Sequence, residues 1–296
     1  MSVNGILCLD KPSDMTSFSC CAVMRRLLGV KKVGHAGTLD PQATGVLPIM
    51  VGNATRALDF LPDHTKRYTA ALRFGATSDT LDAWGQVVET NRPLPTKEAV
   101  ETALDAFRGD ILQVPPMVSA LKKDGRRLYD LAREGIVVER EARPVTVHAL
   151  TLTAYDAAAG VATLDCTCSK GTYIRTICDD LGQALGCGAI MTALRRTCAI
   201  GLPETQAITL DEARALAESG TLATRLIPLD TALSEYPAIT VSEAQAVRFR
   251  NGGALALERL KVRPTALCRV YDPAENFIGL GRPTEEELAV ARLFPE

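Results

Sequence analysis

A chain of 296 residues, 47% hydrophobic and 23% charged with a net charge of −2, is sized for one large folded domain plus a small one. The near balance of charge excludes a global basic field, so any grip on an anionic polymer must come from local patches. No apolar run is long enough to cross a bilayer, and no basic segment followed by a long apolar stretch opens the chain, so a cytoplasmic location and no membrane contact are expected.

In chain order, residues 4–10 read as a short strand through Ile6, Leu7 and Leu9. A helix is expected from Ser17 to Leu28, with Thr16 or Ser17 as its cap and Gly29 as its stop. Residues 34–41, Gly-His-Ala-Gly-Thr-Leu-Asp-Pro, place His35 and Asp40 in a stretch punctuated by Gly34, Gly37 and Pro41. Glycines there permit unusual backbone angles and close approach, and Pro41 biases Asp40 away from helix. The pattern reads as a tight loop holding up one acid, able to act as nucleophile or base. Gly, Asp and Pro equally make an ordinary surface turn.

Residues 66–74 alternate as a strand, 98–108 carry helical spacing, and 161–168 alternate with Leu164, Cys166 and Cys168 on one face. Ile174, Ile177, Cys178, Leu181 and Leu185 form a helical stripe ending near Gly186. Thr209 with Glu212, and Ser242 with Gln245, are capping boxes that open two further helices. Composition shifts near residues 228–238; strands are expected over 265–271 and 276–280, and Thr284–Glu296 reads as a terminal helix. The whole suggests a mixed α/β or α+β body with a small, mostly β appendage.

The nine cysteines are odd in number, with no Cys-x-x-Cys, and read as reduced core fillers; the three histidines lack metal-site spacing. Two basic patches stand out. Residues 24–35 carry Arg25, Arg26, Lys31 and Lys32 without an acid, and residues 120–133 carry Lys122, Lys123, Arg126, Arg127 and Arg133 against Asp124 and Asp130. Each is either a solvated face or a phosphate contact, and Arg25 and Arg26 also suit the end of a helix. Three more segments mix turn, charge and aromatic residues: Asp10 to Ser17, Lys66-Arg67-Tyr68, and Cys168 to Arg175. Jointly they supply an arginine able to hold a carboxylate ionised and two tyrosines able to stack on a base. No metal and no cofactor is called for.

Gly-His-Ala-Gly-Thr-Leu-Asp-Pro with Ala43-Thr44-Gly45-Val46-Leu47-Pro48 resembles the signature of the TruB family of pseudouridine synthases. Lys66-Arg67-Tyr68, Ser169–Thr176, Ser119–Lys122 and Leu194-Arg195-Arg196 match its other motifs in order, so the likeness spans roughly residues 4–230; residues 238–296 resemble the family's PUA-type domain weakly. The resemblance implies an α+β catalytic fold with a mixed, largely antiparallel sheet over 1–235, an RNA-clamping insertion at 119–135, and a PUA-like RNA-binding domain over 236–296. It implies isomerisation of uridine 55 in the tRNA T-arm to pseudouridine, with no cofactor and no obligatory protein partner. Under it Asp40 is the catalytic aspartate and Arg175 the arginine paired with it. Tyr68 stacks on the uracil, Tyr173 is the second tyrosine, Leu194 lines the pocket, Lys11 is the first-motif lysine, and His35 enters the T-loop beside the everted bases. Lys122, Lys123, Arg126 and Arg127 are candidate RNA contacts. One departure is Asp14, which stands where the family's first motif usually has glycine. A non-catalytic RNA-binding protein and a single-carboxylate nucleoside glycosidase compete with this reading. Asp40 with Arg175 argues against the first, and the matched flanking motifs against the second.

Overall fold

The computed structural model describes residues 3–295. Its first elements are β1 (Gly5–Lys11), α1 (Ser17–Leu28), β2 (Val33–His35), β3 (Thr44–Val51), β4 (Lys66–Phe74), β5 (Ala76–Ser78) and β6 (Val87–Glu89). Then come α2 (Lys97–Ala103), β7 (Gly109–Gln113), β8 (Lys122–Lys123), β9 (Arg126–Arg127), α3 (Leu128–Arg133), β10 (Arg143–Asp156), β11 (Val161–Cys168) and α4 (Ile174–Ala184). They are followed by β12 (Ala189–Ala199), β13 (Leu202–Pro203), α5 (Leu210–Glu218), α6 (Leu229–Ala232), β14 (Ala238–Thr240), α7 (Glu243–Arg250), β15 (Leu255–Ala256), β16 (Cys268–Tyr271), β17 (Phe277–Pro283) and β18 (Glu287–Leu293). The α+β class expected from the sequence is observed.

The chain forms two compact units. One gathers Met1–Pro41, Leu47–Asp63 and Thr205–Glu296; the other gathers Gln42–Val46 and His64–Glu204. In the first, β1 lies beside β3, and β2 pairs antiparallel with β3 in the register His35↔Ile49. Helices α1 and α5 cover these strands: Leu7, Leu9, Leu47, Ile49 and Val51 meet Cys20, Cys21, Met24, Leu210 and Ala213 in one buried cluster. α1 begins and ends where its sequence dictates. Thr16 Oγ1 accepts from the Ser19 amide at 3.0 Å, and Gly29 closes it in the left-handed region with its amide on the last-turn carbonyls.

The same unit carries the C-terminal sheet, ordered β14-β16-β17-β18-β15, packed on α7 around Phe249, Val270, Ile278 and Leu288. The expected helix over Thr284–Glu296 is overturned: Glu287–Leu293 is strand β18. Thr284 Oγ1 does accept from the Glu287 amide at 3.2 Å, as an N-cap would, but the Thr284 amide also donates to the Glu287 carbonyl at 2.8 Å. That second bond makes a tight turn, and β18 then pairs antiparallel with β17.

In the second unit Thr44 and Gly45 pair parallel with β12, and β12, β4, β11, β10 and β7 follow as antiparallel neighbours. The β4–β11–β12 register sets Tyr68 opposite Cys166 on one side and Arg196 on the other. The expected helix over 98–108 is shorter: α2 stops at Ala103 and Leu104–Phe107 tighten to a 3-10 turn. The cysteines are unbridged and, apart from half-buried Cys198, buried.

Candidate active site

Within the first unit, the octapeptide is part strand and part loop. Gly34 and His35 belong to β2, and Ala36 extends the pairing with its amide on the Pro48 carbonyl at 3.0 Å. Only the later glycine needs to be one. Gly37 has φ 100°, whereas a Cβ on Gly34 would meet nothing nearer than Thr55 Cγ2 at 3.8 Å.

Asp40 is gripped through both chain neighbours. On its N-terminal side the Ser17 hydroxyl, 2% exposed, accepts from the Leu39 amide at 2.9 Å and donates to the Leu39 carbonyl at 3.1 Å. On its C-terminal side Lys11, fully buried, sends its ammonium to the Pro41 carbonyl at 2.8 Å. The same Nζ donates to the carbonyls of Pro12 at 2.8 Å and Met15 at 2.6 Å. The turn between those two carbonyls holds Asp14 at φ 62°, so the aspartate adopts the left-handed conformation a glycine would supply. Lys11 is therefore an internal strut, bound to backbone oxygens in a place where an unsolvated charge would otherwise be costly.

Within the second unit, Tyr68 is 6% exposed on β4 and Leu194 9% exposed on β12. Burial pushes the Tyr68 phenol up, while neighbouring Arg196, also hydrogen-bonded to it, opposes the shift. Arg196 is fully buried, and its Nε donates to the Val46 carbonyl at 2.7 Å. The strands meet so closely here that a Cβ on Gly45 would lie 2.2 Å from the Arg196 carbonyl oxygen, and Gly45 has φ 97°. Lys66, two residues before Tyr68, has its ammonium pushed down to about 8 by burial first and by Arg196 next.

Tyr173 and Arg175 stand at the start of α4. No side chain of Tyr173 caps this helix; instead Gln113, 2% exposed at the end of β7, accepts from the Tyr173 amide at 2.7 Å and donates to its carbonyl at 3.1 Å. Arg175 is 4% exposed and donates to the carbonyls of Thr80 at 3.1 Å and Val118 at 2.8 Å. Its Nη1 also lies 3.6 Å from Asp82 Oδ2, and Asp82 accepts from the Thr80 hydroxyl at 2.6 Å. Leu81, between them, is held at φ 64°, a strained conformation for leucine of the kind that collects at functional sites.

The insertion forms a hairpin and a short helix. Asp124 (φ 50°) and Gly125 (φ 80°) turn β8 into β9, the type I′ geometry that Asp-Gly favours. Lys122, Arg126, Arg127, Asp130, Arg133 and Glu134 surround an open concavity of about 540 Å³. Arg127 and Arg133 lie 5.6 and 5.5 Å from the Tyr129 ring centre, and Arg126 pairs with Glu134.

Ser17, Asp82, Gln113, Lys66 and Arg196 were not singled out as site residues by the sequence. Lys66 and Arg196 lie inside matched motifs. Gln113 carries no local signal, since its partner is 60 residues distant; Asp82 accepts from nearby Thr80 and Trp84, but its approach to Arg175 spans 93 residues. Among the described residues no group of His, Cys, Asp and Glu could hold a metal ion.

The model of the TruB family pseudouridylate synthase N-terminal domain matches residues 25–174. Those of the tRNA pseudouridylate synthase B C-terminal domain and the pseudouridine synthase II TruB C-terminal domain match 175–234 and 237–294. The chain belongs to the TruB family of pseudouridine synthases. It is 44% identical over 296 residues to tRNA pseudouridine synthase B of Burkholderia pseudomallei (strain 668), covering 99% of this chain and 97% of that one. It is 48% identical over 283 residues to the enzyme of the same name from Haemophilus influenzae (strain PittEE), covering 94% and 91%. In fold it is similar to the solved structure described as a Cbf5–Nop10–Gar1 complex, with a TM-score of 0.72 at 23% identity, covering 99% of this chain and 84% of that one. As a TruB-family member it is an isomerase that converts uridine to pseudouridine.

Proposed function

We propose that this TruB-family synthase isomerises uridine 55 in the T-loop of tRNA, with Asp40 as its reactive group. The observation that carries the reading is the double clamp, Ser17 on Leu39 and Lys11 on Pro41, which fixes one carboxylate-bearing residue in a loop of a pseudouridine synthase. The target uridine is flipped from the loop, at a cost of about a few kcal/mol. Stacking on Tyr68 returns about 1–3 kcal/mol. His35 occupies the space the base leaves, Leu194 and Tyr173 enclose the uracil, and Arg175 has the task of keeping the carboxylate ionised.

Asp40 promotes cleavage of the N-glycosidic bond. The detached uracil turns in place, C5 bonds to C1′, and the C5 proton is lost as N1 gains one, so the product is an isomer of the substrate. Water must be kept out while the base is free. No redox, metal or nucleotide cofactor is required by this chemistry. Lys122, Lys123, Arg126 and Arg127 take phosphates of the T-arm, residues 1–235 form the catalytic domain with 119–135 as its clamp, and residues 236–296 a PUA-like RNA-binding domain. The enzyme acts on tRNA in the cytoplasm without an obligatory protein partner; no helix among the described residues is long and apolar enough to cross a membrane.

The test is pseudouridine formation on a minimal T-stem-loop, read by primer extension after carbodiimide labelling. The wild-type protein modifies this RNA, and Asp40→Asn abolishes modification while tRNA binding is largely kept. Modification by Asp40→Asn at the wild-type rate would sink the assignment.

A further inference from the structure

The exposed side of α1 carries features that the reaction above leaves unused. Phe18, in the first turn, is 69% exposed, more than Trp84 at 47%. Ala22 and Arg26 follow at helical spacing on the same exposed stripe, with Arg25 beside them. The helix has no acid in its first turn and runs into exposed Lys31 and Lys32.

Some arginines on the surface are neutralised by a carboxylate. Arg67, Arg73 and Arg214 each reach a carboxylate at 2.9 Å or less. Arg25, Arg26, Lys31 and Lys32 form no ion pair among the described residues, and the Arg25 Nε is shielded from solvent with no hydrogen-bond partner. A run of uncompensated cations is complementary to a polyanion, and an exposed aromatic beside it offers a face to an unpaired base. An isolated exposed phenylalanine would need no explanation; one at the head of a basic stripe fits single-stranded RNA.

The location fits as well. Ser17, next to Phe18, is the residue whose hydroxyl grips Leu39, the neighbour of Asp40. At the other end the Lys32 carbonyl accepts from the Gly52 amide at 2.8 Å, so the basic segment is fixed just ahead of β2 and His35. From Phe18 to Arg26 the helix advances about 12 Å at 1.5 Å per residue.

We propose that the exposed stripe of α1 and the segment just beyond it, Phe18, Arg26 and half-buried Arg25 together with Lys31 and Lys32, form a second RNA-binding surface, taking the unpaired strand that flanks the target uridine. Phe18 stacks on one unpaired base and the cations take successive phosphates. The assignment rests on the proposed T-loop substrate only for the choice of RNA.

Equilibrium filter binding of the full-length protein to a T-stem-loop RNA tests it, with a blunt duplex of the stem sequence as the comparison. Phe18→Ala weakens stem-loop binding about tenfold, in the range of a lost base stack, Phe18→Trp restores it, and the duplex is bound equally by all three proteins. Combined Arg26→Gln, Lys31→Gln and Lys32→Gln flattens the log Kd against log salt slope by about 2, at roughly 0.7 per lost single-strand contact. Thermal melting of each variant establishes that it is folded, as expected for exposed side chains. An unchanged stem-loop Kd in Phe18→Ala, an equal loss on the duplex, or an unchanged salt slope in the triple variant overturns the assignment. A wild-type protein that binds the stem-loop without modifying it would instead sink the proposed reaction and leave this surface standing.

Discussion

The loop that carries Asp40 and the hairpin that carries Lys122 to Arg127 are both short, tight and rich in turn residues, yet they are held by opposite means. Around Asp40 the struts are buried: Lys11 is fully enclosed and Ser17 nearly so, and both bond to backbone. Around the hairpin the contacts are exposed, namely an Arg126–Glu134 ion pair, a Lys123 ammonium on the Glu139 carbonyl at 2.7 Å, and two guanidinium groups over Tyr129. Buried bonds are costly to exchange and keep one geometry. Exposed ion pairs are worth little and are readily traded for another anion. Under the proposed function, the difference separates a reactive group that must not wander from a basic arm that must let RNA in and out.

The largest way to break this contrast is Lys11→Met. It strands the Pro12, Met15 and Pro41 carbonyls, and the expected loss is about 2–4 kcal/mol of stability, read from urea unfolding, with turnover falling more than tenfold. A variant as stable and active as wild type would show that the loop needs no strut. Ser17→Ala is the milder version, with about 1–2 kcal/mol expected for one buried hydroxyl that makes two backbone bonds.

Arg126→Gln with Arg127→Gln should do the reverse. The urea midpoint stays in place while T-arm RNA binding weakens and its salt slope flattens by about 1.8, at roughly 0.9 per phosphate contact on a duplex. A fall in the midpoint as large as that of Lys11→Met would erase the distinction.

A further test is a pH dependence at Lys66. Its folded-state value, about 8, lies below the ordinary 10.5, so the unfolded chain binds more protons between those two pH values. Stability contributed at this position is therefore lowest below pH 8 and rises as pH climbs from 8 to 10.5. Lys66→Met should remove that rise in a series of urea melts; a rise of the same size in the variant would place its source elsewhere.

Local codes in the sequence are legible where the physics is local. The start of α1, and the capping boxes at Thr209 with Glu212 and Ser242 with Gln245, follow from side chains bonding amides three residues away. The Thr284–Glu287 segment offered the same side-chain bond and misled, because pairing with β17 decides its conformation and that partner lies outside any local window. The candidate residues divide in the same way. Asp40, Tyr68, Tyr173 and Arg175 stand in recognisable motifs, whereas Gln113 meets Tyr173, and Asp82 approaches Arg175, only across the fold. Asp14 was legible as a departure, and its φ of 62° shows how the turn survives it.

The Lys11 ammonium also behaves as a captive ion. Three carbonyl oxygens face it much as they would a bound monovalent cation, but a four-carbon tether removes any dissociation equilibrium. The turn from Pro12 to Met15 and the segment ending at Pro41 thus meet around a charge that neither dilution nor chelation can withdraw. Acylating reagents that label exposed amines such as Lys31 and Lys32 will find this one sealed for as long as the loop is closed. Its labelling under mild denaturation would therefore time the opening of the loop that holds Asp40.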